Sequence, residues 1–141
     1  MPIELNPKLR SSYQAWVQIP VRFGDQDVMG HVNNAVIATY FEHARCTLLI
    51  PRILSADHPD LNIVLARIVI DYVEEINFPA TLDVGLRMAK IGGKSFVVGS
   101  AIFAGDTCFA VADATIVFFD TKTRRSAEPT AAARAALESF R

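Results

Sequence analysis

The chain has 141 residues, 51% of them hydrophobic and 21% charged, with 14 Lys and Arg against 15 Asp and Glu for a formal net charge of −1. That length holds one domain with a core of its own, and the composition excludes a chain that stays disordered. The near-neutral balance argues against wrapping of DNA or RNA, which needs a basic surface.

The most apolar uncharged stretches, Ser95 to Gly105 and Ala114 to Phe119, fall short of the 18 or so residues of a membrane span. The first residues carry Glu4, Asn6, Pro7 and Lys8 in place of a basic segment and an apolar signal core, so a cytoplasmic location is expected. Cys46 and Cys108 form no CxxC pair and have no zinc-like spacing with the three histidines. Two buried free thiols and no metal site are expected.

In chain order, residues 1–11 are polar and broken by Pro2 and Pro7, which predicts a loose arm. Tyr13 to Phe23 reads as a strand through Trp16, Val17, Ile19, Val21 and Phe23, with Pro20 at an edge or bulge. Gly24 to Asn33 is loop by composition. From Asn34 the period changes: Ile37, Tyr40, Phe41, Ala44 and Leu48 recur at i+3 and i+4. This predicts an amphipathic helix with Asn33 as its N-cap, stopped near Ile50 by Pro51. Arg52 to Asp60 is a surface connection. Four strands follow, Asn62–Val73, Thr81–Ile91, Lys94–Ala104 and Thr107–Phe119, with hairpin-like punctuation at Gly92-Gly93 and Gly105-Asp106. The tail over 121–141 is basic, and Thr130 to Phe140 is Ala-rich enough for a short terminal helix.

One long helix among five strands has a broad apolar face that only the antiparallel sheet can cover. The predicted class is therefore α+β, a central helix wrapped by a curved five-stranded antiparallel sheet in a single domain over residues 1–141. The run Ala110–Phe119, interrupted by charge only at Asp113, predicts a second buried surface and hence self-association.

Chemistry concentrates in Val21-Arg22-Phe23-Gly24-Asp25-Gln26-Asp27-Val28-Met29-Gly30-His31-Val32-Asn33-Asn34 and in Phe41-Glu42-His43-Ala44-Arg45. Two aspartates stand just before a helix start, where unpaired N–H groups and the positive end of the helix dipole point outward. A carboxylate beside an oxyanion site is what attack on a thioester carbonyl requires.

These segments resemble the hotdog-fold thioesterases, in particular the 4-hydroxybenzoyl-CoA thioesterase-like and acyl-CoA or acyl-carrier-protein thioesterase group. The resemblance implies a helix wrapped by an antiparallel sheet, homodimers joined sheet edge to sheet edge and further paired as tetramers, and active sites at the dimer interface. It implies that Asp27 is the catalytic carboxylate and that the Asn34 N–H polarises the thioester carbonyl. That group usually carries Tyr three residues after the second Asn, where this chain has Ile37.

Each residue has a plainer alternative. Asp27 would merely cap the loop, and Asp25 is read as a turn anchor. His31 is a candidate for proton transfer or a holder of loop backbone. Glu42 is a rival carboxylate on the helix or the partner of Arg45 at i+3. Lys90, Lys94 and Ser95, around Gly92-Gly93, suit the phosphates of coenzyme A or a solvated hairpin, and Arg124-Arg125 reads the same way. No Walker loop, GxSxG elbow or HExxH occurs. The expected function is hydrolysis of acyl-CoA or acyl-carrier-protein thioesters, with no cofactor beyond the coenzyme A carried on the substrate. The alternatives are a hydratase or dehydratase pairing His31 with Glu42, and a non-catalytic module that binds acyl-CoA.

Overall fold

The computed structural model describes residues 4–54 and 58–141. Its central element is a 20-residue helix, α1 (Asn34–Ile53). Around it curl β1 (Ala15–Pro20), β2 (Leu61–Tyr72), β3 (Thr81–Ile91), β4 (Ser95–Ala104) and β5 (Thr107–Asp120), in the order β1-β3-β4-β5-β2 with every neighbour antiparallel. A two-residue strand, β6 (Arg125–Ser126), pairs with β5 off that path. A short helix, α2 (Ala131–Glu138), follows. The helix, the five main strands and the antiparallel hairpin neighbours are those the sequence predicts, with β6 added. No described helix is long and apolar enough to cross a membrane.

Helix α1 buries Ile37, Tyr40, Phe41, Ala44, Leu49 and Ile53 against the concave face of the sheet. Facing them are Leu82, Val84 and Leu86 of β3, Phe96 and Val98 of β4, and Ile116 and Phe118 of β5. Each such large side chain contributes about 1.5–3 kcal/mol on leaving water. Pro51 does not end the helix as expected, since α1 runs on to Ile53. In the last turn a proline removes only the bond to the Thr47 carbonyl, on an exposed residue, and the Leu54 N–H still closes on Ile50 at 3.1 Å. In the connection predicted over Arg52 to Asp60, residues 55–57 lie outside the described residues, as do residues 1–3 of the arm.

The described part of the N-terminal arm is not loose. Arg10 donates to the Asp83 carboxylate at 3.1 Å and to the Gly105 carbonyl at 2.8 Å, and its guanidinium lies 4.4 Å from the Trp16 ring centre. The observed first strand, Ala15–Pro20, is shorter than the predicted Tyr13 to Phe23, because Phe23 already belongs to the turn of the loop; Tyr13, and Trp16 from within β1, pack on the convex face of the sheet with Ala101, Phe103, Cys108 and Val111. Of the apolar run of β5, Val111 belongs to this second cluster, while Ala110, Ala112, Ile116 and Phe118 face the main core. Burial in the second cluster pushes the Tyr13 phenol up to about 12. Cys108 is buried, but Cys46 is exposed, because it lies on the flank of α1 away from Phe41.

Among the described residues, exposed apolar side chains stand on the loop before α1, at Phe23, Val28 and Met29, and along β2, one of the two end strands of the sheet. Val64, Leu65, Val69 and Tyr72 are between 39% and 50% exposed along it, and Val73 just beyond it is 37% exposed. Such an edge is a template for another strand.

Candidate active site

The loop before α1 is built around a buried carboxylate. Asp25, 2% exposed, accepts the Arg22 backbone N–H at 3.0 Å, the Arg22 guanidinium at 2.9 and 3.1 Å, and the Tyr40 hydroxyl at 2.6 Å. Burial pushes the Asp25 carboxyl up, but the bonds from Tyr40 and Arg22 together outweigh it and hold the group below the ordinary carboxylate range. Asp25 is thus the turn anchor the sequence suggests. Its backbone carbonyl also accepts the Asn33 N–H at 3.0 Å, tying the loop to the helix start.

Asp27 follows on a tight turn. Its N–H donates to the His31 carbonyl at 3.0 Å, and its carbonyl accepts the Gly30 N–H at 3.1 Å. Gly30 has φ +86°, a left-handed conformation that favours glycine. One Asp27 carboxylate oxygen accepts the Met29 N–H at 2.9 Å. His31 places Nδ1 3.3 Å from the Val32 carbonyl, so the tautomer protonated there leaves Nε2 bare. The Val32 N–H donates to the Ile76 carbonyl at 2.8 Å, which pins the loop to the segment after β2.

The helix then opens on Asn33, whose side chain accepts the Ala35 N–H at 2.8 Å, while its carbonyl accepts those of Val36 and Ile37. Among the described residues no acceptor takes the Asn34 N–H, which is left at the positive end of the helix. Asp27, His31, Asn34 and Ile37 line one cleft of about 460 Å³, closed on its far side by Tyr72, Glu74, Glu75 and Ile76. Asp27, with one carboxylate oxygen outside any described hydrogen bond, His31, and Asn34 with its unpaired N–H therefore line the same space.

Lys90, Lys94 and Ser95 are elsewhere. Thr81 pairs with Pro20 at the cleft end of β3, whereas Lys90 and Ile91 pair with Val97 and Phe96 at the other end. At about 3.3 Å per residue the separation is roughly 30 Å. The Gly92 and Gly93 carbonyls of that hairpin accept Arg134 of α2, and no lysine or arginine lines the cleft. Glu42 lines a different cavity from His31, so one chain does not assemble the hydratase pair. Among the described ion pairs none joins Glu42 to Arg45.

Tyr72 is the cleft residue that sequence reasoning missed. Its hydroxyl donates to the Asn34 carbonyl at 3.0 Å, tethering the first residue of α1 to the edge strand. It also brings a phenol to the cleft, where Ile37 replaces the family's usual tyrosine. The signal was its place at the end of the apolar run 62–73.

Known structures share this fold. The PA5185 protein of Pseudomonas aeruginosa is 28% identical, with 94% of this chain and 95% of that one covered at a TM-score of 0.86. A thioesterase of Thermus thermophilus, solved with coenzyme A and zinc, is 29% identical, with 89% and 92% covered at 0.77. YbaW of Escherichia coli, described as a probable thioesterase, is 27% identical, with 90% and 98% covered at 0.78. No curated protein matches the chain. The sequence model of the thioesterase-like superfamily matches residues 21–137, most of the chain, and with the hotdog architecture and the loop geometry above this establishes that the protein belongs to the thioesterase-like superfamily.

Proposed function

We propose that the chain hydrolyses acyl thioesters of coenzyme A or of acyl-carrier protein, with Asp27 as the reacting carboxylate and the Asn34 N–H as oxyanion donor. The observation that carries this reading is the shared cleft, lined both by Asp27, which has one carboxylate oxygen free, and by Asn34, the first residue of a 20-residue helix, whose N–H is unpaired. Asp27 takes a proton from water as it adds to the thioester carbonyl, or adds to that carbonyl itself and is released by water afterwards. In both routes the oxyanion forms at the Asn34 N–H, and its collapse expels the thiolate, a good leaving group. The proton that leaves the attacking water is the one the thiolate regains, and His31, whose Nε2 is bare when Nδ1 carries the proton, can relay it by first accepting it. No cofactor is needed beyond the coenzyme A of the substrate.

The working unit we propose is a homodimer joined along β2, itself paired into a tetramer. The exposed apolar residues of that edge support it, as does the acidic lining of the cleft by Glu74 and Glu75. Cations for the coenzyme phosphates then have to come from another subunit.

The test is Asp27→Asn, which keeps size and polarity and removes the charge. Hydrolysis of acyl-CoA is expected to fall by about 10²–10⁴-fold at an unchanged melting temperature. Full activity in that variant would remove Asp27 from the mechanism.

A further inference from the structure

Helix α1 meets the core late. Asn34 and Ala35 are exposed and Val36 is half-buried, so Ile37, one turn in, is its first buried side chain. Helix ends fray where packing does not hold them. The cap sets the direction of the Asn34 N–H. The Asn33 carbonyl turns into the helix to accept the Val36 and Ile37 N–H groups at 3.0 and 3.2 Å. Across the trans peptide the Asn34 N–H therefore points the opposite way, out of the helix end. The cap does not fix where that end stands relative to the far wall of the cleft. Among the described hydrogen bonds, the one that joins α1 to a strand runs from the Tyr72 hydroxyl to the Asn34 carbonyl, at 3.0 Å. It spans the cleft, since both residues line it. The fold has little need of this bond. Tyr72 is 50% exposed, β2 is held to β5 by pairing from Leu61 to Tyr72, and α1 is held by its buried face. A hydrogen bond open to water contributes little to stability, because water offers both groups equivalent partners.

We infer that Tyr72 is a positioning residue for thioester hydrolysis: by holding the Asn34 carbonyl it fixes the Asn34 N–H against the strand wall of the cleft, and it acts on the reaction through that amide. The inference rests on the oxyanion role proposed above for Asn34 and names the side chain that makes the role effective. A donor stabilises an oxyanion well only when it is in place before the charge develops, so that no reorganisation is needed as the bond to the carbonyl forms. A thioester oxygen carries little charge in the bound substrate and a full charge in the tetrahedral species. A loose amide therefore costs turnover and leaves binding almost unchanged.

The experiment is a double-mutant cycle on steady-state hydrolysis of an acyl-CoA by the full chain, with thermal unfolding and amide hydrogen exchange alongside. Tyr72→Phe keeps the ring and removes the hydroxyl. Its kcat is expected to fall about tenfold, with KM within about twofold of the parent and the melting temperature unchanged. Exchange over the first turn of α1 is expected to quicken in this variant, while that of β3 to β5 stays as it was. Asn34→Pro deletes the amide hydrogen and keeps the helix. Proline is accepted at the first helical position, and Asn33, at φ −62° and ψ 136°, already has the extended conformation that a following proline requires. Its kcat is expected to fall about 10²–10³-fold. Adding Tyr72→Phe to Asn34→Pro is expected to cost less than about twofold more, because the hydroxyl then has no donor left to position. A further tenfold loss in the double variant, an unchanged kcat or unchanged exchange in Tyr72→Phe, or a loss confined to KM overturns the inference and leaves Asn34 as the donor. An Asn34→Pro variant with the parental kcat overturns the oxyanion reading, and the inference with it.

Discussion

The Tyr40 hydroxyl donates to the Asp25 carboxylate at 2.6 Å, from the second turn of α1 to the loop that precedes it. This bond, with those from Arg22, commits Asp25 to structure. Asp27, two residues on, keeps an oxygen free for the cleft. Two aspartates of similar appearance in the sequence are thereby given different work by their surroundings.

The pairing has a pH signature. The Asp25 carboxyl titrates below its unfolded value of about 3.9, so its contribution is present above that pH and is lost as pH falls through the lower native value. Denaturant unfolding between pH 2 and 6 is expected to show this acid loss in the parent. Tyr40→Phe removes one bond to a charged acceptor, costs about 1.5–3 kcal/mol at neutral pH, and flattens the acid slope. An unchanged slope in Tyr40→Phe would show that the bond contributes little.

Coenzyme A binding separates two groups of cations. If β2 pairs with its copy, the opposite strand ends of the partner come beside the cleft. The turn carrying Lys122 and Arg124, with Arg125 at the start of β6, directly follows β5 and lies one strand in from β2, while the Lys90 to Ser95 hairpin leads into β4, one strand of about 4.8 Å further. Arg124→Ala with Arg125→Ala is expected to raise KM for acyl-CoA about tenfold with little change in kcat, and Lys90→Ala with Lys94→Ala to raise it less. Added salt is expected to mimic the stronger variant, and a short thioester without the nucleotide to be insensitive to both. Steady-state kinetics on the two substrates check this, and a larger effect at the lysines would move the phosphates to the hairpin.

The convex face makes a packing prediction. A Cβ at Gly85 would stand 2.8 Å from the Tyr13 Cβ and 3.0 Å from the Trp16 indole, groups that cannot swing away. At Gly99 it would meet the Arg87 guanidinium at 2.8 Å, the far end of a flexible chain whose Nε has no partner. Gly85→Ala is expected to destabilise by about 1–3 kcal/mol and Gly99→Ala by less. Equal midpoint shifts in urea would show that Arg87 is held as firmly as Trp16.

By itself the sequence determined the elements and the place of the chemistry. The 3.6-residue spacing from Ile37 to Leu48, the strand-length runs after Asp60 and the glycines of two hairpins are local signals, and local backbone preference and side-chain periodicity suffice to read them. The Asp-rich loop before a capped helix was legible for the same reason, since an N-cap and a turn glycine act within a few residues. What only the tertiary structure decided depends on groups far apart in the chain. Arg45 reads as one charge in an amphipathic helix until the curl of the sheet buries it. Tyr72 reads as the end of a strand until the antiparallel return of β2 sets its hydroxyl on Asn34, and Lys94 reads as a neighbour of the site until strand register carries it to the other end of the sheet. Register and curvature are set by the summed packing of many residues, and no single residue carries that sum in its local sequence.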